Sequence, residues 1–468
     1  MSGETRKLRE EGHTIEPGEL RLGFSNSQDN PQAAQRLPSQ CRCPPLTKGE
    51  FFTPLFDIKD MTSSANRRHG ASRRSVLKAA VALPLADSLA AVPGKKPHIA
   101  VVGAGAFGGW TALHLLRQGA RVTLLDAWGP GNSRASSGGE TRVIRATYGP
   151  DRVYVEMVAR ALQLWRENET RWGLKLYRKT GALWMASEND AYEKASVPLL
   201  REARLAVEEL TPVEVRKRYP QVNFDGVAWA IYEKDAGYLL ARRASEAVLD
   251  GFLKEGGEYR QLSATPGAVK GKEMQGLVLS DGSTLSVDRY VFACGPWLGN
   301  VLPQLIGDRV KPTRQEIFYF GTPSGDPRFL EEQLPVWIDN GKDFFYGIPG
   351  SERRGFKLAD DARGPDFDPT QGDRMPTPEG VRAARRYLEF RFPALKEAPL
   401  LEARVCQYEN SPDHRFIIDQ HPGAGNCWIV GGGSGHGFKH GPAVGERAAA
   451  LVLGTARIDP FFALSRLS

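Results

Sequence analysis

Hydrophobic positions along this chain are scattered over residues 1–60 and become patterned only from about residue 97. HIAVV, beginning at His98, is a continuous apolar run of strand length, which predicts a strand covered on both faces. A glycine-rich stretch follows, then a helical spacing over 110–118, then VTLLD, a second strand ending at Asp126. Near the other end, FIID and WIV predict strands, GGGSGHGFK a loop over 431–439, and PAVGERAAALVLG a helix. Between them, SVDRYVFACGPW reads as a strand leading into a Gly-Pro turn, and GALWMAS, EIFYFG and DFFYGIP as further strands. This order predicts an α/β protein with a Rossmann-like domain assembled from discontinuous segments, 97–180, 237–312 and 404–468. An α+β domain of mostly antiparallel sheet is expected from 181–236 and 313–403.

Composition places the chain among globular proteins: of 468 residues, 41% are hydrophobic and 25% charged, enough for two domains. The net charge of +7 is not gathered into a basic stripe, which argues against a nucleic-acid partner. No run approaches the ~20 apolar residues of a membrane-spanning helix. Cys41, Cys43, Cys294, Cys406 and Cys427 show neither disulfide nor metal-ligand spacing, so no metal is expected. Cys294 reads as a small buried residue.

Residues 1–60, rich in Gln, Pro, Ser and charge, read as disordered. Ser72-Arg73-Arg74-Ser75-Val76-Leu77-Lys78 and the weakly apolar AAVALPLADSLAA resemble a twin-arginine export signal over 61–91, with Ala90 and Ala91 near the cleavage point. A basic linker before a short helix is the alternative. Signals belong at the N-terminus, so Met61 is the expected start and residues 1–60 an extension. The twin-arginine machinery carries proteins already folded around a cofactor. A periplasmic or otherwise exported location is expected, with the cytoplasm as the alternative.

Gly103, Gly105 and Gly108 stand in GxGxxG order between a strand and a helix. The first permits a tight turn, the second lets backbone amides approach a pyrophosphate, and the third allows close helix–strand packing. The helix N-terminus adds a partial positive charge for phosphates. Asp126, 23 residues after Gly103, is placed to accept from an adenosine ribose. A glycine-rich turn without ligand is the ordinary alternative. The 431–439 loop is a second such feature, whose amides and following helix can stabilise negative charge. Two loops predict one cofactor gripped by both ends of the chain, a flavin dinucleotide.

GAGAFGG, GGETRVIRATYG, YGIPGSERRGFKLA, CQYENSPDHRFIID and GGGSGHGFK occur in this order. From about residue 97 onward the chain resembles the monomeric sarcosine oxidase family of D-amino-acid-oxidase-like flavoproteins. N-methyltryptophan oxidases, pipecolate oxidases and fructosyl-amino acid oxidases are relatives. The resemblance implies FAD-dependent oxidation of the C–N bond of an amino acid or an N-methyl, cyclic or glycated amino acid to an imine. Oxygen is reduced to hydrogen peroxide, and a monomer is expected. It also implies a thioether between Cys406 and the flavin 8-methyl group, chemistry that needs a partly exposed cysteine near positive charge. A buried structural cysteine is the alternative. Gly433, Gly435 and Gly437 match the cofactor loop.

Arg145 and Lys439 match the family's carboxylate-binding pair, a bidentate fork and a point charge. Arg142 matches an arginine beside the flavin ring, and Lys357 the lysine that activates oxygen by stabilising superoxide. Tyr346 and Tyr408 match tyrosines lining the substrate pocket. The ordinary alternatives are a solvated helix-face charge for Arg145, a surface lysine for Lys439 and an ion pair for Arg142. For Lys357 it is a strand-edge lysine, and for the tyrosines aromatic packing. His436 reads as a packing or hydrogen-bonding residue.

Two departures stand out. Gly138 occupies a position where characterised sarcosine oxidases carry histidine, and Asp360 and Asp361 replace a tyrosine and a histidine after Lys357. They predict a more acidic pocket wall and a larger or more cationic amine. Three rival readings are an exported dehydrogenase using a quinone or carrier protein, a non-catalytic flavin or amino-acid binding protein, and an NAD-dependent dehydrogenase. Cys406 and the second glycine loop disfavour the last.

Overall fold

HIAVV forms the strand His98–Val102, with Ile99 to Val102 all buried, at the centre of a six-stranded sheet. The structure, a computed structural model, describes residues 96–341 and 344–467. The extension and export-signal readings of 1–60 and 61–91 lie outside the described residues. The sheet order is Ile417–Gln420, Cys427–Gly431, Arg289–Phe292, His98–Val102, Arg121–Leu125, Glu258–Arg260. Neighbours run parallel except Ile417–Gln420, which is antiparallel to Cys427–Gly431. Strands more than 300 residues apart in the chain therefore enter one largely parallel sheet, which brings the two glycine loops to its edge. The helix after the first strand spans Ala106–Arg117. It starts four residues earlier than the apolar spacing predicts, because its first turn is written in glycines.

The second sheet has eight strands, in the order Leu400–Asn410, Lys311–Phe320, Phe356–Asp360, Phe344–Ile348, Val336–Asn340, Ala182–Ala186, Trp229–Glu233, Val207–Leu210. One pair, Val336–Asn340 with Ala182–Ala186, is parallel and the rest antiparallel. The expected boundaries at 312/313 and 403/404 fall inside the two longest strands, which pair with each other.

Alternation along these strands positions the chemistry. Phe356 and Leu358 enter an aromatic core with Trp337, Phe320 and Phe392. The opposite face gathers Ile317, Tyr319, Ala359, Tyr346 and Cys406, and Lys357 shares that side by register. A small sheet of Thr141–Ile144, Gly237–Leu240 and Tyr177–Arg178 carries Arg142.

A buried ion pair ties the helix Pro378–Arg391 to this sheet: Arg391 Nη2 lies 2.7 Å from Asp339 Oδ2, with both side chains about 5% exposed. Tyr387 donates to the same oxygen at 2.8 Å. Removing one partner leaves the other charge buried and alone. Arg391→Leu is expected to destabilise the fold by about 3–5 kcal/mol, read as a lowered denaturation midpoint, while Arg391→Leu with Asp339→Leu recovers part of that loss.

Candidate active site

The two glycine loops line one cavity of about 280 Å³, together with Asp126, Cys294, Trp297, Arg142, Tyr408 and Glu409. Gly103, Gly105, Gly433, Gly435 and Gly437 all face it. Gly108 does not; a Cβ there would sit 1.9 Å from the Gly103 carbonyl oxygen, so its role is the close helix–strand approach. The helix Ala106–Arg117 has no side-chain cap and no acidic residue in its first turn. Its positive end is thus left for an anion. Asp126 accepts from the backbone N–H groups of Ala104 (2.8 Å), Trp128 (2.9 Å) and Gly129 (2.8 Å), and a carboxylate has capacity for further donors. These features fit the diphosphate and sugar of a dinucleotide.

A smaller cavity of about 60 Å³ shares Arg142, Gly435 and Phe438 with the first. Its other walls include Arg145, Lys439, Asp361, Tyr346, Phe344, Ile338 and His436. The Arg145 guanidinium lies between the rings of Tyr148 and Trp184, at 4.6 and 4.7 Å from their centres. Buried Glu233 accepts from Ala146 N (2.7 Å), Thr147 N (2.9 Å) and Thr147 Oγ1 (2.6 Å), fixing the segment that follows Arg145. Lys439 Nζ donates to His436 O at 3.0 Å. Burial, with the adjacent Arg145 charge, holds Lys439 well below the usual lysine value.

Arg142 donates to Thr141 O at 2.8 Å and to Ser136 O, and its Nη2 lies 3.5 Å from Cys406 Sγ. Cys406 is half-buried and lines neither cavity. Lys357, 1% exposed, donates from Nζ to Thr141 O at 3.0 Å and sits 5.7 Å from the Tyr346 ring centre. Burial, then the Arg142 charge, lowers its pKa to about 7. Among the described residues, no ion pair joins Arg142, Arg145, Lys357 or Lys439 to a carboxylate. Four cations therefore converge without a paired anion.

The acidic-wall expectation needs correction. Asp361 lines the small cavity, but Asp360 is exposed and its Oδ1 accepts from Ala362 N. Strand alternation turns the two carboxylates to different sides. Gly138 lies in neither cavity lining: a Cβ there would sit 1.9 Å from Asn132 O, so the position is fixed by a tight backbone turn.

His436 bonds through Nδ1 to Tyr148 OH (3.1 Å) and through Nε2 to His414 O (3.0 Å), stacked on Phe416. Burial holds it far below the usual histidine value.

Sequence reasoning missed Glu409, Trp184, Tyr148 and Glu233. Glu409 Oε1 accepts from Gly433 N at 3.1 Å while Oε2 is buried without a partner. Burial pushes its carboxyl up to about 7. Its place beside Tyr408 in a strand, where an acid is uncommon, was the available signal. Trp184 lies in GALWMAS and meets Arg145 only through folding, so it carried no local signal.

The family model for FAD dependent oxidoreductases (DAO) matches residues 98–451. The chain belongs to that family. This FAD-dependent oxidoreductase is 30% identical over 373 residues to the monomeric sarcosine oxidase of Arthrobacter sp. (strain TE1826), covering 77% of this chain and 93% of that protein. It is 29% identical to the N-methyl-L-tryptophan oxidase of Salmonella heidelberg (strain SL476), over 80% of this chain and all of that one. Among solved structures, L-proline dehydrogenase from P. horikoshii shares the fold with a TM-score of 0.70 at 21% identity, covering 80% of this chain and 98% of that one. The family resemblance and the expected fold class are borne out. FAD is the cofactor, and the glycine loops are the residues that fit it.

Proposed function

We propose that this enzyme oxidises the C–N bond of an amino acid or N-substituted amino acid to an imine, with oxygen as electron acceptor and hydrogen peroxide as product. The observation that carries this reading is partly buried Arg145 with buried Lys439, neither joined to a carboxylate among the described residues, on a cavity that shares Arg142, Gly435 and Phe438 with the cofactor site. Uncompensated buried cations are costly, and a substrate carboxylate neutralises them. The sarcosine and N-methyl-L-tryptophan oxidases to which the chain is similar act, by name, on such molecules.

When bound, FAD would supply the acceptor for the hydride equivalent, two electrons with one proton, that leaves the substrate. The protein's own contribution is placement and charge. Arg145, clamped between two rings, and Lys439 orient the carboxylate. Val143, Ile338, Phe344 and Phe438 provide apolar walls that exclude water. Arg142, which lines both cavities, would favour the reduced cofactor, and Lys357, which lines neither but bonds to Thr141 beside Arg142, would favour oxygen reduction through its charge.

Anaerobic mixing with N-methyl, cyclic, glycated and free amino acids tests this: at least one class bleaches the flavin, and air then yields stoichiometric peroxide. Bleaching by none would refute it, and bleaching with dye reduction but no peroxide would move the acceptor to a quinone or carrier.

Covalent attachment through Cys406 is part of the same proposal. A half-buried thiol 3.5 Å from a guanidinium has the partial exposure and nearby cation that thiolate attack requires. Cys406→Ser is expected to release yellow colour into the supernatant on acid precipitation, whereas wild-type colour stays with the pellet. Export by the twin-arginine route, read from Arg73 and Arg74, predicts a periplasmic protein lacking residues before about Ala91, checked by N-terminal sequencing.

A further inference from the structure

Opposite charges share the small cavity without meeting. Asp361, Arg145 and Lys439 all line its roughly 60 Å³. Yet among the described residues no ion pair within 4.0 Å joins Asp361 to either cation. Opposite charges in a low-dielectric site attract strongly, so their separation has to be held. Two contacts hold Asp361: its backbone N–H donates to Phe344 O at 2.8 Å, and its Oδ1 accepts from Tyr408 OH at 2.6 Å. Arg145 is held by its two aromatic neighbours and by Thr147 O. Lys439 is held by His436 O. The result is a cavity with a fixed anion and two fixed cations, the complement of a zwitterion.

We propose that Asp361 receives the substrate ammonium, accepts its proton, and selects zwitterionic amino acids whose carboxylate pairs with Arg145 and Lys439. This rests on the amino-acid-oxidising reading above and deepens it. In the proton step, an N–H bond of the ammonium breaks and an O–H bond forms on the Asp361 carboxylate. No electrons are transferred then; the neutral amine has the lone pair that the subsequent two-electron oxidation of its C–N bond requires. Tyr408, donating to Oδ1, orients the carboxylate.

The groups facing Asp361 are Tyr408 and Tyr346 from two strands, Arg142 and Arg145 from the small sheet and its exit, His436 and Lys439 from the glycine loop, and Asp360 as chain neighbour. Burial raises the Asp361 pKa above its ordinary value, while Tyr408 and the two cations oppose that rise. The group thus becomes a proton acceptor only above its raised pKa.

Asp361→Asn in the FAD-loaded enzyme tests the assignment, with Asp361→Glu as the conservative variant. Binding is read from perturbation of the flavin absorbance, using N-methylglycine, glycine and L-proline as zwitterions and acetate as an anion without an amine. Asp361→Asn is expected to weaken zwitterion binding at least tenfold at neutral pH while acetate binds as well or better, and Asp361→Glu restores part of the preference. The acidic limb of wild-type kcat/KM moves to the amine's own pKa in Asp361→Asn. An unchanged ratio of zwitterion to acetate affinity, with an unchanged pH profile, overturns the proposal while leaving the proposed reaction intact. If wild-type flavin bleaches with no amino acid, the reading beneath it fails and this fails with it. If Asp361→Asn does not fold, wild-type acetate affinity decides: it must rise as pH falls through the titration of Asp361, and a flat profile overturns the proposal.

Discussion

Arg145→Ala is expected to lower kcat/KM for the best amino-acid substrate by roughly 30- to 5000-fold, the range that follows from losing about 2–5 kcal/mol at a buried charge partner. The guanidinium lies between the rings of Tyr148 and Trp184 and, among the described residues, pairs with no carboxylate. Its interaction with a substrate carboxylate is therefore made in a site that water does not screen. Truncation also leaves a gap between two rings, so part of the loss is orientation, and kcat falls along with a rise in KM. Arg145→Lys keeps the charge but not the planar fork, and lies between wild type and alanine. Steady-state kinetics under air, with acetate as a competitive inhibitor, measure this. Acetate inhibition at wild-type strength in Arg145→Ala would remove Arg145 from the carboxylate site.

Lys357→Met separates the two halves of the reaction. The rate of anaerobic bleaching is expected to stay within a few-fold of wild type, while the reaction of the reduced enzyme with oxygen slows by about 10²–10³. Methionine conserves volume and removes a charge that is 1% exposed and has one backbone acceptor, so folding is not the weak point. The pH dependence supplies a second signature. Burial and the Arg142 charge place the Lys357 pKa at about 7, so the ammonium is present below that pH and lost as pH rises through it. Negative charge on reduced cofactor moves this limb upward. Wild-type oxygen reactivity should fall across that limb, and Lys357→Met should be slow and flat. Stopped-flow reoxidation from pH 6 to 10 checks both. A mutant with the wild-type oxygen rate would leave the lysine a structural role only.

The strand, glycine loop and helix at each end of the domain were legible because their signals are local. Ile99 to Val102 are apolar because both faces of the sheet are covered, one by helices and the other by a small antiparallel sheet and short helical turns, and Gly103 and Gly108 are required by contacts with neighbouring backbone. The site was legible where a residue sits inside such a motif, as Arg145 and Lys439 do. It was misread at Asp360, which strand alternation directs outward, while Gly138, where relatives carry a histidine, is a tight-turn position outside both cavities. Adjacent carboxylates in sequence do not share an environment when the backbone is extended.

Local order along the polypeptide thus established the fold class and the cofactor loops, because periodicity and glycine placement depend on near neighbours, while the cationic residues were read from the family resemblance. Folding alone established the rest: Trp184 beside Arg145, Tyr408 on Asp361, the orphaned oxygen of Glu409, and an anion held apart from two cations in one small cavity. These contacts join strands and loops far apart along the chain. Their energies depend on burial and on distances that no spacing of residues encodes.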